Sequence, residues 1–169
     1  MHPALAEFIT QAQSYCALIE DPSPADPQQF AHQCLGHLLR LSDLAMQLPP
    51  DLESGDDQPV PVDPQQRKTV EASISKRLPA DCYWQVYHPL PLEQDDLEPC
   101  VGSLADDLAD IWSDLKPGFA SRSSFEHHWG KHAADAIPVL YSICYGQQQR
   151  LSQDANDIRR ISSSQRRRA

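Results

Sequence analysis

Apolar residues recur at helical spacing in every long hydrophobic segment of the chain. Leu5, Phe8, Ile9, Ala12, Cys16 and Ile19 follow Pro3 and predict a helix over residues 3–20. The segment DPSPADP ends it, and Asp26 followed by Pro27 has the residue types of an N-cap and first helical turn. Phe30, Cys34, Leu38, Leu41, Leu44, Ala45 and Leu48 mark one face of a second helix, stopped by Pro49-Pro50. Asp63-Pro64 repeats the start signal, and Val70, Ile74 and Leu78 give a short third helix. The run CYWQVYHPL, residues 82–90, is the one β-like stretch and predicts an aromatic loop or short extended segment laid over the core. Any sheet is expected to be no more than a short pairing near residues 83–87.

Two further helices are the best patterned. The fourth begins at Ser103, with Asp106 three residues on in a capping-box arrangement, and stops at Pro117-Gly118. The fifth is expected to start at Ser123 or Ser124 and run to about Tyr145, kinked or broken at Pro138. The pattern predicts an all-α domain over residues 1–148, a mainly antiparallel bundle of five to six helices. Acidic, proline-rich loops fall near 49–63 and 91–99, and a polar, basic tail occupies 149–169.

Charge divides the chain. The formal net charge is −10 over 169 residues, yet residues 150–169 carry six arginines against Asp154 and Asp157. The tail is therefore +4 and the rest −14. An acidic body argues against nucleic acid and anionic membrane as partners. The tail offers only Leu151, Ile158 and Ile161 for burial. Five cysteines without CxxC spacing, three of them on or beside apolar helix faces, predict reduced structural thiols. With no signal peptide and no membrane-length apolar run, the expectation is a cytoplasmic protein without membrane insertion.

Candidate chemistry sits on the last two helices. On a wheel, Leu104, Leu108, Ile111 and Leu115 form the core face of the fourth, and Asp107, Asp110 and Asp114 share one flank. On the fifth, Phe125, Trp129, Ala136, Leu140 and Ile143 form the core face. His132 falls within it, with His128 and Asp135 at its edge. Adjacent antiparallel helices bring these carboxylates and imidazoles together. His128 and His132 have the i,i+4 spacing that lets two imidazoles share an ion, so Asp107, Asp110, Asp114, His128, His132 and Asp135 are candidate ligands for a divalent metal, the one cofactor the pattern suggests. The glutamate of a zincin HExxH is absent, and Trp129 stands in its place. The preferred reading of the cluster is structural: a largely buried His132 satisfied by aspartates of the fourth helix.

The segments CYWQVYHPL (82–90), LADDLADIWSDLKPGF (104–119) and HHWGKHAADAIPVLY (127–141) resemble the DUF5063 family. The matching positions include Tyr83, Trp84, Asp106, Asp107, Asp110, Asp114, Gly118, His128, Trp129, Gly130, His132 and Asp135. Trp112 replaces a tyrosine of the family pattern, and Pro138 stands among its helix formers. The resemblance implies an all-helical bacterial protein of unassigned function and supplies no substrate, cofactor or partner. Two readings follow: an interaction or structural module acting through a protein partner, or a divalent-metal-binding protein or metal-dependent hydrolase using the Asp/His cluster.

Overall fold

Aspartate followed by proline starts two of the helices, because the carboxylate takes an orphan backbone donor while proline presets the first helical φ. Asp26 accepts from the Gln29 amide at 3.2 Å and Asp63 from the Gln65 amide at 2.9 Å. The computed structural model describes residues 3–23, 26–49, 61–86, 99–117, 126 and 128–146. In order these form α1 (Pro3–Glu20), α2 (Pro27–Met46), α3 (Pro64–Arg77), β1 (Cys82–Val86), β2 (Pro99–Ser103), α4 (Leu104–Leu115) and α5 (residues 129–146).

The core is one apolar cluster drawn from every helix. Phe8, Tyr15 and Ile19 of α1 meet Phe30, Leu38 and Leu41 of α2, Ile74 of α3, Leu104, Leu108 and Trp112 of α4, and Trp129 and Leu140 of α5. Glu7 pairs with Arg40 and Gln11 with His37, so α1 and α2 run antiparallel. Arg77 closes the end of α1. Its guanidinium donates to the carbonyls of Leu18, Ile19 and Asp21, which α1 leaves without helical partners, and stacks on Phe30 at 4.1 Å. The ends of α1 and α4 are tied by Glu20, which accepts from Trp112 Nε1 at 2.9 Å and pairs with Lys116.

The fold is mostly helical, and the extended segment expected at 82–90 forms the first strand of a small two-stranded antiparallel sheet, β1 against β2, in which Tyr83 faces Gly102 and Trp84 faces Val101. Residues 91–99 were expected to be irregular, yet Pro99 already pairs with Val86. Five residues reading PCVGS carry no alternation of their own; pairing with β1 and the covalent run into α4 make them a strand. Helix α5 is continuous through Pro138, so the expected break is absent. Residue 126 is helical, His128 lies in a turn and the regular helix runs from 129, while the expected start at Ser123 or Ser124 lies outside the described residues. The loop over 50–60, residues 91–98 and the tail at 149–169 lie outside the described residues. None of the five cysteines is in a disulfide; Cys16, Cys34 and Cys144 are buried, as their helical positions predict, and burial pushes Cys16 and Cys34 up to about 12. No described helix is long and apolar enough to cross a membrane.

Candidate functional site

Helix α4 is strongly amphipathic, yet it is covered on more than its apolar face. Ser103 caps it, its hydroxyl accepting from the Asp106 amide at 3.2 Å. Asp81, just before β1, reinforces the cap: one carboxylate oxygen takes both the Ser103 hydroxyl (3.0 Å) and the Ala105 amide (2.8 Å). The start of α4 is thus locked to the start of β1, which sets where the flank aspartates stand.

Asp107 is the centre of the polar flank and is only 7% exposed. One of its oxygens accepts from the Tyr83 hydroxyl at 2.5 Å, and the other meets His132 Nδ1 at 3.1 Å. On the far side of the imidazole, Nε2 lies 3.6 Å from Asp110. Asp110 in turn accepts from Arg67 Nε at 2.5 Å, and Arg67 also holds Asp106 at 2.5 Å and Glu71 at 3.1 Å. The chain of contacts therefore runs Tyr83–Asp107–His132–Asp110–Arg67 and joins β1, α4, α5 and α3.

Gly102 makes this geometry possible. A Cβ there would fall 2.5 Å from Cζ of Tyr83 and 2.8 Å from its hydroxyl, so the bare strand lets the ring lie flat across β2 and reach Asp107.

The electrostatics follow from the contacts. The hydrogen bond to Asp107 raises the His132 pKa, against the lowering effect of burial, and the charges of Asp110, Asp107 and Asp114 add to the rise. Burial raises the Asp114 carboxyl, opposed by the nearby positive charge of His128 and His132. Tyr83 is raised by burial and by its bond to Asp107. Arg67 is raised chiefly by its bond to Asp110 and stays cationic.

The structure thus brings Asp107 and Asp110 to His132, and places Asp114 within the field of both histidines. The charge of Asp135 bears on Tyr83. His128 is exposed in the turn before α5. The expectation of a largely buried His132 is corrected: 36% of its side chain is exposed. Trp129, Ala133, Ala136, Leu140 and Cys144 form the buried face of α5, and the small residues Ala133 and Cys144 rotate that face away from His132. Sequence reasoning missed Arg67, Asp81 and Gly102. The signal for Arg67 was indirect: an aspartate flank this dense calls for a cation, and few lie within the acidic body.

Both imidazole nitrogens already face carboxylates, and those carboxylates are shared with Tyr83 and Arg67. A cation at this place would compete with hydrogen bonds on every side. Among the described residues, no group of three or more His, Cys, Asp or Glu is placed to hold a metal ion.

A model of the family described as "Domain of unknown function (DUF5063)" matches residues 1–123, which take in α1 to α4 and the sheet but stop short of α5. The crystal structure of protein BF1032 from Bacteroides fragilis is similar to this chain with a TM-score of 0.66 at 21% identity, covering 86% of this chain and 97% of that one. At that identity the likeness is one of fold. No curated protein matches the chain.

Proposed function

Because the chain belongs to the DUF5063 family, whose description assigns no activity, we propose from its own surface that it is an interaction module acting through a protein partner. The observation that carries this reading is the outer face of the hairpin. Trp84 is 74% exposed and Val101, directly opposite it in register, 62% exposed. An indole held out on a rigid strand supplies a large apolar contact at low entropic cost, as the anchors of protein interfaces do. On the reverse face of the same strand, Tyr83 is fastened to Asp107. The polar cluster then serves to hold the hairpin against α4 and α5 at a fixed angle. A net charge of −10 favours a partner whose apolar pocket is rimmed by basic groups.

The test is quantitative capture of partners by the full chain and by its Trp84→Ser variant, followed by calorimetry with the purified partner. Trp84→Ser should weaken binding by ~30-fold, the ~2 kcal/mol of an interface anchor, and leave the melting temperature unchanged. Lys68→Ser, an exposed change on α3, should leave binding intact. Equal affinity of the parent and Trp84→Ser proteins for every recovered partner would refute the reading.

A further inference from the structure

A second exposed apolar surface lies away from the hairpin, where α2 and α5 meet on the outside of the bundle. His32, Gly36, Leu39, Asp43 and Met46 of α2 are all exposed, Met46 at 60%. They follow one another at spacings of four, three, four and three, so they fall within about 80° on a helical wheel and form one heptad-type seam. The Tyr145 ring of α5 lies 5.4 Å from that of His32, and Tyr141, 56% exposed, lies 4.9 Å from Tyr145. An aromatic cluster therefore stands at the His32 end of the seam and a thioether at the other.

We propose that this seam is a homodimer interface, on which a second copy packs its own α2 antiparallel with Leu39 at the two-fold axis. Three observations single out that occupant. The first is self-complementarity. His32 lies seven residues before Leu39 and Met46 seven after, so an axis at Leu39 sets each Met46 on the aromatic cluster of the other copy. Methionine sulfur against aromatic rings is a favourable contact, and the symmetry makes it twice. The second is Gly36. A Cβ there would meet nothing within 4 Å, and glycine is less favourable than alanine inside an exposed helix. Three residues before the axis, Gly36 faces the stretch around Asp43 of the second copy, and its missing side chain makes room for that carboxylate. Asp43 enters already neutralised, since Arg40 donates to it at 2.6 Å and Gln47 at 3.1 Å from the same helix. The third is charge. Helix α2 carries Arg40 against Asp43, and residues 129–146 carry Lys131 against Asp135, so each helix sums to zero with histidine neutral. The net charge of −10 lies on other parts of the chain, and at physiological ionic strength exposed charges more than about 8 Å apart are largely screened. The seam does not repel its own image, and it offers a strongly charged partner nothing to read.

Sedimentation equilibrium of the full chain tests the association. The parent should form a dimer. Leu39→Asp, with unchanged circular dichroism, should weaken it by ~30-fold or more, and Trp84→Ser should leave it intact. Disulfide trapping in a Cys82→Ser background tests the register whether or not Leu39→Asp folds. Leu39→Cys should link two copies to each other on mild oxidation, whereas Met46→Cys should do so only when His32→Cys is also present, with the bridged peptides read by mass spectrometry. A parent that is still monomeric at ~0.5 mM, or a dimer as tight in folded Leu39→Asp as in the parent, overturns the proposal. So does a dimer lost in Trp84→Ser, which assigns it to the hairpin, or Met46→Cys linking to itself as readily as Leu39→Cys, which makes the helices parallel.

Discussion

The α1–α2 interface and the polar flank of α4 are built on opposite principles. Between α1 and α2 the contact is Phe8, Tyr15 and Ile19 against Phe30, Leu38 and Leu41, with ion pairs confined to the exposed rim at Glu7, Arg40 and Asp43. Such a contact is non-directional and scales with buried apolar area. The α4 flank uses single directional contacts: Tyr83 to Asp107, Asp107 to His132, Asp110 to Arg67. Each is worth little net, but each tolerates only one arrangement of the elements it joins. The apolar side therefore sets how stable the fold is, and the polar side sets how the hairpin, α3 and α5 are oriented on α4.

The largest effect that divides the two regions is a cavity on the apolar side. Leu38 is fully buried at the centre of α2. Leu38→Ala should lower the unfolding free energy by about 2–5 kcal/mol, measured by urea titration. The loss should vary little between about pH 7 and 8.5, above the ordinary imidazole range and below the thiol values that burial raises. A loss that varies strongly over that interval would show that the two regions are not separate.

On the polar side the effect is smaller and cooperative. Tyr83→Phe removes one bond to a buried carboxylate and should cost ~1–2 kcal/mol. Gly102→Ala introduces a Cβ 2.5 Å from the Tyr83 ring, so it should displace the ring and break the same bond. The two changes act on one contact. In a double-mutant cycle, Gly102→Ala should cost clearly less when Tyr83 is already phenylalanine. Strict additivity would mean that the glycine serves the strand backbone and not the placement of Tyr83.

The two regions were unequally legible in the sequence. The α1–α2 pair was read almost in full, with the bounds of α1 and the Asp26 cap in place, because apolar period and Asp-Pro starts are local signals. The flank was read in part. Asp107, Asp110 and His132 were placed together by helical wheels alone. Arg67 was not, because α3 has a weak apolar pattern and reads as a solvated helix; its guanidinium is found only once α3 is known to lie beside α4. Strand β2 was missed for a related reason: its pairing with β1 spans residues distant in sequence. The rotation of His132 toward solvent turned on Ala133 and Cys144, residues too small to weigh in a wheel dominated by Phe125 and Trp129.

The smallest effect is the most specific to the polar side. His132 has a raised pKa in the folded protein, so its charged form stabilises the fold below the ordinary imidazole value of 6.5, and that contribution fades as pH rises through the folded value. Asp114, also raised, has the same sign in the acid range: its contribution is complete below 3.8 and fades as it ionises in the fold. His37 opposes them near neutrality. Burial lowers its pKa, so its contribution is complete above 6.5 and is lost as pH falls. The pH profile of the parent therefore mixes two histidines of opposite sign, and only a difference isolates either. Subtracting the stability of His132→Gln from that of the parent should leave a positive term at about pH 5.5 that shrinks by pH 8.5. With more than a third of the side chain exposed, solvent screening keeps that term below ~1 kcal/mol. His37→Gln should give a difference that grows over the same interval. If the His132 difference is flat or rises with pH, the imidazole is not held as a cation between Asp107 and Asp110, and the polar flank of α4 is fixed by Tyr83 and Arg67 alone.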